Sequence, residues 1–312
     1  MILSVSRRTD VPRLFFDWFL NRLTAGEALV RGPMNHSQVS RVPLTPEVLD
    51  CIVFWSKNPA PMLGRLAELA PYPWYLQFTL HPYGPEIEAS LPGKAELLDT
   101  FKALAEAAGP GRVVWRYSPV LLNAAYTTGA HLAFFEQTAR ALEGYTQSCR
   151  LSFLDFYPKI QKRMAALGAQ NPPLEEKVSL AARLAEIGAA SGIVVRGCSD
   201  PALVAAGLGG GGCVDAALVS RLVGQPLNLG KDPGQRPECL CAASVDIGAY
   251  NTCANGCAYC YANHSPASVA AAMKRYDPAA PMLCGALGPG DRVTDRAVKS
   301  HRAADGGQLS FL

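Results

Sequence analysis

An α/β fold is predicted for this chain, in the form of a partial (β/α)6 barrel followed by a Cys-rich segment. Three observations predict it. Short apolar runs alternate with helical patterns over the first two thirds of the chain. Apolar residues make up 49% and charged residues 18% of the 312 residues, which is enough for a large core. Seven of the ten Cys fall within residues 198–260, after the last repeat of the alternation.

Six apolar runs are predicted as strands, and five helical patterns follow them. The runs are apolar on both faces, as expected of parallel strands covered by helices. The strands are predicted over Ile2–Val5, 51–55, 74–80, 112–117, 150–156 and 192–196, and the helices over 13–25, 61–70, 92–108, 128–143 and 174–190. Such a series implies a parallel sheet with right-handed crossovers. Because no GxGxxG follows any strand, a partial barrel is favoured over a dinucleotide-binding sheet.

The composition changes after residue 197, where Gly, Pro and Cys become frequent. We predict three parts: a barrel over 1–197, a Cys-rich segment over 198–284 docked on the barrel mouth, and a loosely ordered tail over 285–312. The Cys-rich segment is expected to be organised around metal rather than around its own core. The run GLGGGGC at 207–213 is interpreted as a flexible connection, because it follows no strand and opens no helix with a Lys.

The net charge of +3 is too small to support a nucleic-acid partner. The start, MILSVSRRTD, lacks the pattern of a signal peptide, and no apolar run is long enough to cross a bilayer. We therefore predict a cytoplasmic protein without a membrane partner. In a reducing compartment, clustered Cys are expected to be metal ligands or catalytic thiols. The isolated Cys51 and Cys149 are interpreted as small core residues.

The segment TCANGCAYCY places Cys253, Cys257 and Cys260 in a C-x3-C-x2-C spacing. Three thiolates so close in sequence can bind three irons of a cubane cluster and leave the fourth iron open. Zinc is the alternative. Cys239 and Cys241, together with this motif and His264, could form one or two structural zinc sites with closed shells of four ligands.

The spacing and the aromatic Tyr259 before the last Cys resemble the CxxxCxΦC motif of the radical S-adenosylmethionine (SAM) superfamily. The resemblance implies a [4Fe–4S] cluster on Cys253, Cys257 and Cys260, with SAM on its open iron and Tyr259 beside the cofactor. It also implies reductive cleavage of SAM to a 5′-deoxyadenosyl radical that abstracts hydrogen from a substrate, a full or partial barrel, and a small flavodoxin- or ferredoxin-like electron donor. It names no substrate.

Two narrower resemblances are visible. TCANGCAYCYAN, VFWSKNP (53–59) and WRYSPVL (115–121) resemble the spore photoproduct lyase, or DNA repair photolyase-like, branch, which makes DNA lesion repair an alternative function. The whole chain, from SVSRRTDVP to CLCAASVDIGAYNTCANGCAYCYAN, resembles the bacterial family DUF1848. In most radical SAM proteins the cluster loop follows the first strand. The order here is interpreted as a circular permutation, in which VDIGAY (245–250) supplies the strand before the loop.

Cys198, Cys213, Cys239 and Cys241 form a second group of thiols. Four thiolates close either a cubane or a zinc site. Because radical SAM proteins often carry an auxiliary [4Fe–4S] cluster, the resemblance favours a second cluster here, with free thiols as the alternative.

Polar residues after the predicted strands are the remaining site candidates, because a barrel gathers them at its mouth. They are Arg7, Arg8 and Asp10 after the first strand, Lys57 after the second, and Arg116 at the end of the fourth. Arg and Lys here could bind the carboxylate of SAM or an anionic substrate, or they could form ordinary salt bridges. A non-enzymatic protein with structural zinc or an electron-transfer cluster is the third hypothesis.

Overall fold

A computed structural model describes residues 1–198 and 200–302, and this part of the chain forms ten strands and nine α-helices. The strands are β1 (Ile2–Val5), β2 (Glu27–Arg31), β3 (Gln38–Pro43), β4 (Cys51–Ser56), β5 (Trp74–Thr79), β6 (Val113–Val120), β7 (Ser148–Phe153), β8 (Val194–Gly197), β9 (Ser244–Asp246) and β10 (Arg292–Asp295). The helices are α1 (Val11–Leu14), α2 (Phe16–Ala25), α3 (Lys94–Ala108), α4 (Thr128–Ala141), α5 (Gln161–Ala166), α6 (Leu174–Ala190), α7 (Pro201–Ala205), α8 (Ala216–Val223) and α9 (Pro266–Met273). A 3₁₀ helix covers Ala60–Leu69.

The main sheet has seven parallel strands in the order β8-β7-β6-β5-β4-β1-β9. The predicted α/β class is confirmed, and each of the six predicted strands is present. β9 lies directly before the Cys motif and pairs with β1, Leu3 opposite Val245. No ladder joins β8 to β9 within the described residues, so a closed barrel is not formed.

Both faces of the main sheet are apolar, and different parts of the chain cover them. On one face, Val5, Phe54 and Leu76 pack in the same cluster as apolar residues of α2, α3, α4 and α6. On the other face, Ile2 and Tyr75 pack against Cys213, Val214 and α8. The Cys-rich segment therefore covers one face of the sheet as well as lying at its edge, which the sequence did not predict.

A second sheet has the order β10-β3-β2, with β2 and β3 antiparallel and β3 and β10 parallel. It too was not predicted. β10 lies in the segment 285–312 that was predicted to be loosely ordered, and farther on Ser300 and His301 donate hydrogen bonds to the buried Asp50 carboxylate. Residues 303–312 of that segment lie outside the described residues.

Two smaller predictions can be compared with the structure. Cys51 and Cys149 lie at the starts of β4 and β7 and are fully buried, as predicted for core residues. In the described part of the chain, no helix combines the length and the apolar character needed to span a membrane.

Candidate functional site

A cavity of about 780 Å³ opens at the carboxyl edge of the main sheet, where the ends of its parallel strands meet. We call it the strand-end cavity. Residues at or near the carboxyl ends of all seven strands of the main sheet line it, and so do both groups of cysteines. The candidates from the sequence that line it are Arg7, Arg8, Asp10, Lys57, Arg116, Tyr259, Cys253, Cys257, Cys260, Cys198, Cys213, Cys239 and Cys241.

Residues 252–261, the three-Cys loop, follow β9 and carry Cys253, Cys257 and Cys260. Backbone hydrogen bonds tie the loop to the segment after β5: Ala258 N donates to Ile87 O at 2.8 Å, and Ser90 N donates to Asn255 O at 3.2 Å. Burial raises the pKa of Cys253 to about 12, and burial also raises the pKa of Cys257. The thiols of Cys253 and Cys257 are therefore protonated at neutral pH, and metal binding would have to displace those protons.

Asp10 anchors the three-Cys loop to the segments that follow β1 and β4 in the main sheet. Its carboxylate is 5% exposed and accepts hydrogen bonds from Asn255 Nδ2 at 2.8 Å, Lys57 N at 2.9 Å and Arg13 N at 3.2 Å. The last bond caps the start of α1. Asp10 was a catalytic candidate from the sequence, and its bonds are those of a residue that positions the loop.

A buried ionic network lies beneath Tyr259, centred on Glu88. The Glu88 carboxylate accepts hydrogen bonds from Lys57 Nζ at 2.7 Å, Tyr259 Oη at 2.5 Å and Lys94 Nζ at 2.9 Å, and His81 Nδ1 lies 3.2 Å away. Burial alone would raise the pKa of Glu88, but Lys57, His81 and Lys94 hold it well below its usual range. Lys57 also donates to Tyr259 Oη at 2.6 Å. Through these bonds to its hydroxyl, the network holds Tyr259, the aromatic residue of the Cys motif, in place.

Arg7 and Arg8 are held at the end of β1 by acidic partners. Asp246, the last residue of β9, accepts from Arg7 N at 2.8 Å, and its carboxylate lies 3.9 Å from Arg8 Nε. The Arg7 guanidinium lies 3.6 Å from Asp232 and 5.6 Å from the centre of the Trp55 ring. These two cations are therefore largely neutralised by the protein itself.

Arg116 differs from them, because within residues 1–198 and 200–302 it forms no ion pair. Its Nη1 donates to Ser118 O at 3.1 Å, and its guanidinium carbon lies 5.6 Å from the centre of the Trp55 ring. Its Nε is buried and has no hydrogen-bond partner among those residues. Arg116 is thus the predicted cation most available to an anionic group in the cavity.

Cys198, Cys213, Cys239 and Cys241, the four-Cys group, come together although they are distant in sequence. Cys198 follows β8, and its Sγ lies 3.3 Å from Cys213 Sγ. Cys198 and Cys241 each interact with the other three thiols. The sulfurs of Cys198, Cys213 and Cys241 all lie within 4.8 Å of one another, so they could hold a metal ion.

Three residues that position the site were not predicted from the sequence. Asp246 ends a three-residue strand and could have been found by extending the rule for polar strand ends to β9. Glu88 and Asn255 gave no such signal. One of the two Glu in the loop after β5 and an Asn inside the Cys motif become significant only when the fold brings Lys57 and Asp10 to them.

Comparison with known proteins bears on the chain as a whole. No curated protein matches it. The family described as "Domain of unknown function (DUF1848)" matches residues 2–262, a stretch that includes the whole main sheet, the four-Cys group and the three-Cys loop. With so much of its length matched, the chain belongs to the DUF1848 family.

Proposed function

We propose that the protein is a radical SAM enzyme whose [4Fe–4S] cluster is held by Cys253, Cys257 and Cys260. The observation that carries the proposal is the position of the three-Cys loop. It follows a strand of a parallel sheet and lines a cavity at the carboxyl edge of that sheet, where catalytic sites of β/α folds lie. We interpret the open sheet as a partial barrel and the position of β9 as the mark of a permuted chain order.

The donor set fits a cluster better than a single ion. Within the described residues, the sulfurs of Cys253, Cys257 and Cys260 do not all lie within 4.8 Å of one another. A cubane binds each thiolate on a different iron, so its cysteine sulfurs stand about 6 Å apart. The cluster, when bound, would supply the electron that cleaves SAM to methionine and a 5′-deoxyadenosyl radical.

The surrounding side chains can bind and orient a zwitterionic cofactor. Arg116, with no ion-pair partner in residues 1–198 and 200–302, would bind a carboxylate. Lys57 and Glu88 hold Tyr259 in place at the cavity wall. The cavity volume of about 780 Å³ lies in the range of small-molecule sites and leaves room for a substrate beside SAM. A small flavodoxin- or ferredoxin-like protein is proposed as the electron donor.

The proposal is tested by anaerobic purification and reconstitution, followed by counting of iron and sulfide and by assay of 5′-deoxyadenosine after reduction with dithionite. We expect about four irons per chain at the three-Cys loop and 5′-deoxyadenosine formed from SAM. The Cys253→Ala, Cys257→Ala and Cys260→Ala variants should lose both, whereas Cys149→Ala, a buried thiol in the core, should keep both. A protein that binds no cluster at this loop, or a cluster that never cleaves SAM, would contradict the proposal.

A further inference from the structure

The four-Cys group is more compact than a second cubane requires. Cys198 Sγ lies 3.3 Å from Cys213 Sγ, and the sulfurs of Cys198, Cys213 and Cys241 lie within 4.8 Å of one another. Cys239 interacts with both Cys198 and Cys241. Three of the thiols therefore surround one point in space, and Cys239 adjoins two of them.

This spacing distinguishes one metal ion from a cluster. A zinc ion with Zn–S bonds of about 2.3 Å in a tetrahedron places its sulfurs about 3.8 Å apart. A cubane would need them about 6 Å apart. We propose that the four-Cys group binds a single tetrahedral zinc ion, and not an auxiliary [4Fe–4S] cluster. This site goes beyond the proposed radical SAM function and does not depend on it.

The chain around the group is built to hold these thiols in place. The carbonyl oxygen of Cys213 accepts hydrogen bonds from Tyr75 Oη at 2.7 Å and Gln77 Nε2 at 2.9 Å, both from β5. Cys198 N donates to Leu151 O in β7 at 3.0 Å. Val214 N lies 3.4 Å from Cys241 Sγ and donates to it, as backbone amides do around metal-bound thiolates. Cys198 and Cys213 are thus tied directly to the sheet, and Cys241 is tied to the segment that carries Cys213.

The charge around the group also suits four thiolates. A zinc ion with four thiolates carries surplus negative charge, which is costly to bury without compensation. Arg150 is 2% exposed and its Nη2 is paired with Asp215, but its Nε and Nη1 have no hydrogen-bond partner in the described part of the chain. Arg150 and Arg116 lie within electrostatic range of Cys213.

The position of the ion defines its role. It would join Cys198, at the end of the edge strand β8, to Cys213, Cys239 and Cys241 in the segment that covers one face of the sheet. Zinc has no redox chemistry, and each thiol that binds it releases its proton to solvent. The ion would hold the covering segment on the sheet and shape one wall of the strand-end cavity.

The test counts zinc and iron separately in the anaerobically reconstituted full-length protein, and measures Zn–S distances by X-ray absorption. We expect about one zinc per chain with four sulfurs at about 2.3 Å. The double variant Cys239→Ser and Cys241→Ser should lose at least nine tenths of the zinc and keep its iron. The triple variant Cys253→Ala, Cys257→Ala and Cys260→Ala should lose its iron and keep its zinc, and Cys149→Ala should keep both.

If the double variant does not fold, cobalt substitution of the wild-type protein decides the matter through the visible absorption of a tetrahedral thiolate site. About eight irons per chain, four of them lost in the double variant, would overturn the zinc site while leaving the radical SAM proposal intact. A four-Cys group that binds one iron, or no metal at all, would also overturn it. Retention of zinc in a protein that never cleaves SAM would overturn the proposed function alone.

Discussion

Gly212 shows how a single residue permits the approach of two chain segments at the four-Cys group. A Cβ at this position would lie 2.5 Å from the carbonyl oxygen of Leu240 and 3.0 Å from Cys241 Cα. Gly211 is equally confined, since its Cβ would lie 2.6 Å from Arg196 Cβ. The interpretation of residues 207–213 as a flexible connection was therefore wrong for the end of the run, where glycine serves close packing.

Replacing Gly212 tests this close approach. Gly212→Ala should push Cys213 away from the 239–241 segment, lower the zinc content below half of the wild-type value, and cost about 1–3 kcal/mol of stability. Gly209→Ala is the matched control, because its Cβ meets only side-chain and backbone atoms of Val204 at ordinary distances, the nearest at 3.6 Å. Metal analysis and urea unfolding measure both effects. Equal zinc content in the two variants would contradict the packing argument.

His81 is a buried base whose titration should be visible in the stability of the protein. Burial, aided by the Lys57 charge, lowers the pKa of His81 to about 3. The unfolded chain binds a proton at this residue below about pH 6.5, but the folded chain does not. The free energy of unfolding therefore falls as the pH drops from about 6.5 towards 3.

The variant His81→Asn keeps an N–H donor for Glu88 and removes the titration. Between pH 7 and 5.5 its stability should fall by about 1 kcal/mol less than that of the wild type. Anaerobic urea unfolding at both pH values measures the difference. The control is His36→Asn, in an exposed loop, which should follow the wild type. Parallel pH profiles for His81→Asn and the wild type would show that the fold does not lower the pKa of His81.

Arg116 should matter for the binding of SAM rather than for folding. Loss of a charge-assisted hydrogen bond costs about 1.5–3 kcal/mol, so Arg116→Met should raise the KM for SAM about 10- to 100-fold. The exposed Arg140, replaced by Met, is the control, since its guanidinium pairs with Glu136 on the same helix face. An unchanged KM in Arg116→Met would remove Arg116 from the proposed carboxylate site.

At the scale of elements, the three-Cys loop was predicted from its spacing, but its supports were not. The motif is local, so a sequence displays it directly. The supports come from Asp10 in the first loop of the chain and from Glu88 after β5, and both act over more than 150 residues of sequence separation. Such pairs are specified by the fold and not by any local pattern.

Asp10→Ala should release the three-Cys loop from its anchor. It leaves the buried Asn255 amide and the Lys57 N–H without their acceptor, at about 1–3 kcal/mol for each group. We expect the variant to reconstitute with less than half the wild-type iron while keeping its zinc. Asp17→Ala, on the exposed face of α2, is the control. Full iron content in Asp10→Ala would mean that the loop holds its shape without this carboxylate.

The second sheet was missed because its strands do not stand out in the sequence. β3 reads QVSRVP and β10 reads RVTD, where only Val39 and Val42 of β3 are buried and every residue of β10 is exposed. Their pairing joins residues 38–41 to residues 292–295, far along the chain. By contrast, β4 and β5 are buried along almost their whole length, and continuous apolar runs of this kind are the signal that sequence reading detects best.

The main constraint on the whole molecule is that the main sheet has two apolar faces, and both faces must be covered. Helices cover one face of the main sheet, as the β/α alternation predicts. Because the sheet is open, its second face is not enclosed inside a barrel. Here α8 and the four-Cys group cover that face. This explains why a segment poor in regular structure is needed at all, and why a metal ion is a suitable way to hold it.

The strand order suggests that the present termini can be joined and new termini made at another position in the chain. Read from β9, the main sheet runs β9-β1-β4-β5-β6-β7-β8, in chain order apart from the starting point. The two ends of the described chain lie together, since Met1 N donates to Lys299 O at 2.8 Å and His301 N donates to Asp50, which also binds Met1 N. Gly234 and Gln235 form part of an exposed turn before β9, the kind of place where new termini are tolerated.

A permuted protein that begins at Gln235, runs through residue 312 directly into Met1 and ends at Gly234 should therefore fold. We expect its main sheet to form, because no strand of the sheet is cut, and its iron content and SAM cleavage rate to stay within a few-fold of the parent.

The permuted order also changes the role of zinc. Cys239 and Cys241 would lie near one terminus and Cys198 and Cys213 near the other, so chelation of zinc should destabilise the permuted protein more than the parent. The control is a permuted protein opened between Phe78 and Thr79 inside β5, which should not fold. Circular dichroism, metal analysis and thermal unfolding with and without chelator measure these outcomes, and a permuted protein opened at Gln235 that fails to form the sheet would refute the proposed permuted relationship.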